Sequence, residues 1–290
     1  NSRTQSLLRT EDDREENRLM NAQHTIRAEN VERAALADIH HAASPDLREG
    51  LGLDLQEIGG ALVSVASRSP TILVNRAVGL GLAHPADRET VNKIVERYRI
   101  ADVSRYFLQL DPAAHPEELP EWLQDAGLEP YHRAWAKFAR GTEPAPAPRS
   151  DLEVREIGVG HGEDFGRIAA AGFELDDAWI PVLAGLVGRD GWHVYLSFDG
   201  DQPAGCGAMR IHEEVAWLDW AATLPEFRRR GSQGALISRR LSDGIALGCS
   251  GFATSTGEEV HGDAQHSYHN IERYGFRRTH ARANWAPRAV

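Results

Sequence analysis

An α/β fold with a mixed central sheet flanked by helices is what this sequence predicts, and two observations carry the prediction. Apolar runs rich in β-branched and aromatic residues alternate with helical spacings along nearly the whole chain. One junction is also unusually explicit: a strand-like run over 215–221 meets Pro225, then Gly231 and Gly234, then the helical spacing Leu236, Ile237, Arg240, Leu241 and Ile245. Strand, glycine loop and helix start in that order aim backbone N–H groups and the positive end of a helix at one spot, which suits a phosphate. An ordinary connection with a solvated basic surface from Arg228, Arg229 and Arg230 is the competing reading. The passage has neither a Gly-x-Gly-x-x-Gly pattern nor the lysine of a P-loop.

Composition sets the outer limits. The 290 residues suffice for one large core or two modest ones, and a hydrophobic fraction of 41% with 7 Trp indicates a folded chain. A formal net charge of -11 argues against a dedicated nucleic-acid binder, without excluding a local basic pocket. The 2 cysteines, Cys206 and Cys249, are too few for a disulfide framework or a structural zinc site. No secretory signal and no membrane-spanning apolar run is expected, so cytoplasm is the default compartment, with no membrane partner.

The elements follow in order. Residues 1–21 are charged and read as a flexible or helical tail. Ala28, Val31, Ala35, Leu36 and Ile39 space a helix over 24–43, on which His40 and His41 face different sides and read as surface histidines, not metal ligands. Apolar runs over 58–66 and 71–80 read as ordered elements, the second as a buried strand. Asp87 opens a helix through Val91, Ile94 and Tyr98. Residues 106–110 make a strand, 117–126 a short helix stopped by Gly127, and 131–138 a last strand. Residues 141–150, with prolines at alternate positions, read as a stiff linker between a first domain over 22–140 and a second over 151–290.

The second domain opens with a strand over 152–157, followed by helical pieces over 162–170 and 176–186. A hairpin turns at Asp199-Gly200-Asp201 between strands 192–198 and 202–211. Then come the strand and glycine loop described above, a strand over 251–255, a helix from about Ser267 ending at Tyr274-Gly275-Phe276, and a closing strand at 282–285.

Arg228-x-x-Gly231-x-Gln233-Gly234-Ala235 resembles the acetyl-CoA pyrophosphate loop of the GNAT superfamily of N-acetyltransferases, whose core is Gln/Arg-x-x-Gly-x-Gly/Ala. The departure is Gln233, where Gly or Ala is usual. Asn270-Ile271-Glu272-Arg273-Tyr274-Gly275-Phe276 resembles the superfamily's later Asn, helix and terminal Gly-Phe. The order of elements over 151–286 is similar to the GNAT fold throughout. Residues 22–140 share its rhythm, with Leu123 to Leu128 similar to the closing helix end, but have no arginine-and-glycine loop after Val78. The resemblance therefore implies tandem GNAT-like domains. The first is divergent and cofactor-free, acting as a lid or dimer surface.

For the second domain the resemblance implies acetyl-CoA as acyl donor. Backbone groups of Ala222, Thr223 and Leu224 would hold the pantetheine. The passage Arg228, Arg229, Arg230, Gly231, Ser232, Gln233, Gly234 and Ala235 would hold the pyrophosphate, and Asn270 the far pantetheine or adenylate. Many relatives place a Tyr four residues before the Gly of Gly-Phe, where this chain has Ile271. Tyr268 is then the candidate proton donor, with Asp219 and Glu213 as candidate carboxylate bases. The implied activity is acetyl transfer to a primary amine of a small molecule, by a monomer or homodimer and without a metal. Protein or peptide N-acetylation and a non-catalytic acyl-CoA sensor are the alternatives.

Overall fold

The computed structural model describes residues 26–260 and 266–288. The tail expected over 1–21 and the polar loop beginning at His261 lie outside the described residues. The first half comprises α1 (26–42), α2 (Pro45–Leu51), β1 (Leu53–Ile58), β2 (Ala61–Ala66), β3 (Arg76–Val78), α3 (Arg88–Ile100), β4 (Phe107–Leu110), α4 (Leu119–Asp125), β5 (Leu128–Pro130) and β6 (Trp135–Arg140). The second comprises β7 (Glu153–Glu156), α5 (Gly162–Gly172), α6 (Ile180–Ala184), β8 (Trp192–Asp199), β9 (Gln202–His212), β10 (Val215–Thr223), α7 (Ser232–Ala246), β11 (Gly251–Gly257), α8 (His266–Arg273) and β12 (Arg277–Pro287).

These strands form one mixed sheet in the order β1-β2-β3-β4-β12-β6-β11-β10-β9-β8-β7, with β5 alongside β12. The two halves exchange their last strands. β6 of the first half pairs with β11 from Trp135–Gly257 to Arg140–Phe252, and β12 of the second half pairs with β4 and β5. β6 and β12 also pair with each other. The first half is therefore no separate lid, because its backbone is continuous with the second half through main-chain hydrogen bonds.

Between 141 and 150 the chain has no regular structure. It is nevertheless fixed: Arg140 donates to the carbonyls of Glu143 and Pro144, Ser238 to that of Pro146, and Ser150 to that of Arg230.

Helices α1, α5 and α6 pack through Val31, Leu36, Ile39, Phe165, Ile168, Val182 and Trp179 onto one face of the second half. α7 and α8 cover the opposite face through Leu236, Ile237, Leu241, Tyr268 and Ile271. α3 and α4 pack on the first half through Val91, Ile94, Tyr98, Leu119 and Leu123. Trp179 is fully buried, a contribution of about 2–3 kcal/mol by area, and its indole donates to Ser69 of the first half at 3.1 Å.

At the exchanged strands the core turns polar. Glu29 and Glu32 of α1 meet Arg76 of β3, Lys137 of β6 and Arg282 of β12. Arg282 donates to Glu29 at 2.7 Å, Glu32 at 2.6 Å and Gln109 at 2.9 Å, and Gln109 donates to Asn284 at 2.8 Å. Burial alone would raise the Glu32 carboxyl, yet Arg282, Lys137 and Arg76 hold it well below the usual carboxylate range. Burial and Arg282 push Lys137 down to about 8 against the pull of Glu32. Deleting one member of such a network leaves a buried charge unmatched, costing about 3–5 kcal/mol.

Several elements differ from the sequence expectation. The strand expected over 71–80 shortens to β3, because the Asn75 side chain binds Ala66 N, Ala66 O and Ser69 O and diverts the chain into a turn before it. β5 takes residues just before the strand expected over 131–138, which shifts to 135–140. His41 is exposed as expected, but His40 is fully buried and bonded to the Ser64 hydroxyl at 2.7 Å.

Burial pushes His40 down to about 4. A native imidazole that resists protonation contributes no penalty above the unfolded value near 6.5, and stability is lost as pH falls from there toward 4. Urea unfolding should therefore show a loss of roughly 3 kcal/mol across that window, reduced in His40→Gln. An unchanged pH slope in the variant would exclude His40 as its source.

Candidate active site

The site is built by a parting of strands. β10 and β11 run parallel and pair only from Val215–Gly251 to Trp217–Ala253, although β10 continues to Thr223 and β11 to Gly257. Just beyond the last pair, the Thr254 hydroxyl donates to the Leu218 carbonyl at 2.8 Å and closes the floor of the fork. Past that point β11 stays with β6, a strand of the first half, and β10 stays with β9. The fork is thus drawn open by its outer neighbours.

β10 is also bulged. Its register on β9 shifts between Asp219 and Ala222, and Trp220 adopts φ 50°. The Trp220 carbonyl turns to β9, where the Cys206 thiol donates to it at 3.2 Å. In a trans peptide the following Ala221 N–H points the other way, into the fork. Leu224 N–H bonds Ala204 O at 2.9 Å, so by alternation Ala222 also faces β9, and Ala221 and Thr223 face the fork. This corrects the expectation that Ala222, Thr223 and Leu224 all keep backbone groups free: the Leu224 amide is spent on the sheet.

After β10, Pro225 begins a short 3-10 turn and the chain swings through Arg229 at φ 66° and Gly231 at φ 81° into α7. The first amides of α7 have no intrahelical acceptor and point back along the helix axis toward the loop. Gly231 is required twice over, by its left-handed φ and because a Cβ there would lie 2.0 Å from the Arg149 carbonyl. Of the three arginines, Arg228 and Arg229 are exposed. Arg230 instead forks between Asp151 and Asp199, reaching Asp199 at 2.7 Å and Asp151 at 3.1 Å. Its side chain therefore ties the linker to the β8–β9 turn, and the site keeps two exposed arginines rather than three.

Gln233 and Asn270 come together across the helices: Asn270 Nδ2 donates to Gln233 Oε1 at 2.6 Å. Gln233 thus bridges the first turns of α7 and α8, a role no Gly or Ala could take. Tyr274, named in no primary role by the sequence, presses its hydroxyl on Gly234, where a Cβ would sit 2.4 Å from it. The Gly at 234 and the Tyr at 274 together were the available signal.

The candidate acid-base residues separate. Asp219 lies beside the bulge, half-buried, accepting from Trp217 Nε1 at 3.1 Å and Trp220 N at 2.8 Å. Burial raises its carboxyl above the ordinary value, opposed by the Trp220 amide, Arg76 and Trp217. Glu213 sits in the exposed β9–β10 turn at φ 47°, accepting from Asn30 at 3.3 Å. That is the opposite end of β10 from the bulge, roughly 20 Å away at strand rise, so the structure does not bring Glu213 to the fork. Tyr268 is buried in the first turns of α8 with its ring edge-on to Phe138 of β6, centroids 4.9 Å apart. Ile271 is buried as core.

The corresponding place in the first half differs. Beyond β3 and β4 the chains remain joined, His115 N bonding Gly81 O at 2.8 Å and Ala86 N bonding His115 O at 2.9 Å. The first turn of α3 is capped by Asp87, which accepts from Thr90 N at 2.7 Å, with Glu89 beside it. An anion would meet a carboxylate there.

No family model and no curated relative matches the sequence. Solved structures do. The parted parallel strands, bulge and α7 loop belong to the GNAT fold, and the structural neighbours are GNAT acetyltransferases at low identity over most of the chain. A GCN5-related N-acetyltransferase from Kribbella flavida aligns with TM-score 0.58 and 17% identity over 83% of this chain and 93% of that one. One from Sphaerobacter thermophilus gives 0.56 and 16% over 83% of each chain. A tandem GNAT protein from the clavulanic acid biosynthesis pathway gives 0.55 and 14% over 79% of this chain and 78% of that one. At these identities the likeness establishes the fold. Among the described residues no helix is long and apolar enough to cross a membrane.

Gln233→Glu tests the expected anion site separately from stability. A carboxylate in the first turn of α7 complements the helix dipole, a gain of about 0.3–1 kcal/mol, and keeps the oxygen that Asn270 binds. The same charge repels a pyrophosphate. Thermal stability should hold or rise while acetyl-CoA affinity, read by calorimetry, falls about 10–100-fold; unchanged affinity would remove α7 from the donor site.

Proposed function

We propose that the chain is an acetyl-CoA-dependent N-acetyltransferase acting on a primary amine of a small molecule, with the donor held by the second half alone. The observation that carries this reading is the fork between β10 and β11. It is floored by Thr254, opens beneath the first turn of α7, and has the Asp219 carboxylate beside its bulge. The residues suit the donor: Ala221 offers an amide to the thioester carbonyl and Thr223 one to an amide-bearing arm, and the α7 amides with Arg228 and Arg229 suit a pyrophosphate. Bound there, acetyl-CoA would supply a thioester whose carbonyl carbon an amine can attack.

The work left to the protein is to hold the two reactants together and to take a proton from the acceptor ammonium or from the amine after attack. Asp219, whose carboxyl burial raises, would take that proton, directly or through a water. A small acceptor is favoured because α1 and its charged network already occupy the centre of the sheet on the face that Asp219 shares with Trp217. The buried Ile271 and the packed Tyr268 favour, as a second reading, an acyl-CoA sensor that binds without turnover.

Free thiol released from acetyl-CoA in the presence of a panel of amines and peptides separates these. Turnover with small amines supports the proposal. Turnover with peptides alone moves it to protein acetylation, and tight binding without turnover on any acceptor moves it to the sensor.

A further inference from the structure

Arg240 is out of place for a residue on the inner face of a helix. It projects from α7 into the core with 1% of its surface exposed. Three other buried cations, Arg76, Lys137 and Arg282, contact Glu32, and Arg140, at the end of β6, donates to linker carbonyls. Arg240 forms no ion pair among the described residues and donates only to carbonyls: Leu236 at 3.0 Å, Ala208 at 2.9 Å and Asp219 at 3.3 Å. Burial lowers it to about 10, so it remains a cation at neutral pH. A buried charge without a counter-charge is costly, and packing alone would be served better by an apolar side chain.

Its partners explain what it does. Ala208 and Asp219 are the last cross-strand pair on β9 and β10 before the bulge. The ladder is interrupted just past this pair, and Arg240 donates to the carbonyls of both its members. Gly207 makes room, since a Cβ there would lie 3.0 Å from the guanidinium carbon. One residue further, Cys206 holds the Trp220 carbonyl. Two consecutive carbonyls of the bulge are thus pinned away from the fork, which commits the Ala221 N–H toward it. The same side chain ties the bulge to α7, whose first turn is the proposed pyrophosphate site.

We propose that Arg240 is a positioning residue for acyl transfer: by holding the bulge of β10 through the Asp219 carbonyl it fixes the direction of the Ala221 amide, which faces the donor carbonyl. The proposal rests on the acetyl-transfer reading above. Removing the guanidinium should then weaken polarisation of the thioester carbonyl and slow the chemical step, while the remote contacts that bind acetyl-CoA persist.

The test compares wild type, Arg240→Met, Arg240→Lys and Gly207→Ala by acetyl-CoA affinity, by kcat, and by the infrared carbonyl stretch of bound carbonyl-13C acetyl-CoA. Arg240→Met is expected to bind within about 3-fold of wild type, to shift the carbonyl band back toward its free-solution position, and to lose about 100-fold in kcat. Arg240→Lys, which keeps the charge, should recover kcat to within about 10-fold of wild type. A wild-type band and kcat in Arg240→Met, or a loss of affinity as large as the loss of kcat, would overturn the proposal. If Arg240→Met does not fold, Gly207→Ala decides, because it displaces the guanidinium without removing it. The same band shift is expected there, and an unshifted band would overturn the proposal. Failure of the wild type to bind acetyl-CoA would instead sink the donor-site reading, and the proposal with it.

Discussion

Residues 26–140 and 150–290, produced separately, should each fail to give a cooperatively folded protein, and produced together they should assemble into one. The expectation follows from the exchanged strands. Without the second half, β6 loses both its neighbours, β11 and β12, and β4 loses β12. Without the first half, β12 loses β4, β5 and β6, and β11 keeps only its short pairing with β10. Each fragment would expose long unpaired edges prone to association. The charges sharpen the effect. Cutting the chain separates Glu29, Glu32, Arg76 and Lys137 from Arg282, and strands the carboxylates without the guanidinium that Glu29 and Glu32 share. An interface of that kind costs several kcal/mol to break, comparable with the whole stability of a domain. Size-exclusion profiles and thermal unfolding of each fragment and of the coexpressed pair check this. Two fragments that each unfold cooperatively alone would contradict the strand exchange.

Asp219→Asn should lower kcat by about 10²–10³-fold, in the range of a lost general base, with acetyl-CoA affinity nearly unchanged. Asn keeps one oxygen, which can still accept from Trp220 N at the bulge, and gives up the one that accepts from Trp217 Nε1, so the bulge contact is retained and the proton acceptor is not. The pH dependence gives a second reading. Burial lifts the Asp219 carboxyl above its usual value, so the rate in wild type should fall on the acid side through a pKa higher than that of an ordinary aspartate, and the variant should lose that limb. Stability should move the opposite way from activity. A carboxyl whose folded pKa is raised stabilises the native state only while protonated, and that contribution is lost as pH rises through the folded pKa. At neutral pH, removing the charge should therefore stabilise the protein. A variant that is less stable and fully active would assign Asp219 to structure alone.

Much of this architecture is legible in local sequence. The run ending at Thr223, Pro225, Gly231 and the spacing of α7 specify strand, turn and helix through period and backbone geometry. Asp87 marks the start of α3 because its side chain caps Thr90 N. The exchange of β6 and β12 is not legible, because pairing partners are set by long-range burial and a strand's own pattern does not name its neighbour. His40 reads as a surface residue beside His41, and only the approach of Ser64 from β2 shows that it faces the core. Arg240 reads as part of a helical stripe; that it caps a bulge carbonyl depends on Gly207, more than thirty residues earlier. Arg230 looks like a third phosphate ligand until Asp151 and Asp199 are seen to claim it. Glu213, at the entry to the strand, and Asp219, on it, are both candidate bases in the sequence, and the length of β10 separates them.

On the proposed function, one acetyl-CoA is held in the fork of the second half and none in the first, where His115 joins the chains beyond β3 and β4 and Asp87 caps α3. A calorimetric titration of the full chain with acetyl-CoA should give one molecule bound per chain, with affinity weakened by Gln233→Glu. No binding, two molecules per chain, or a titration indifferent to Gln233→Glu would contradict it.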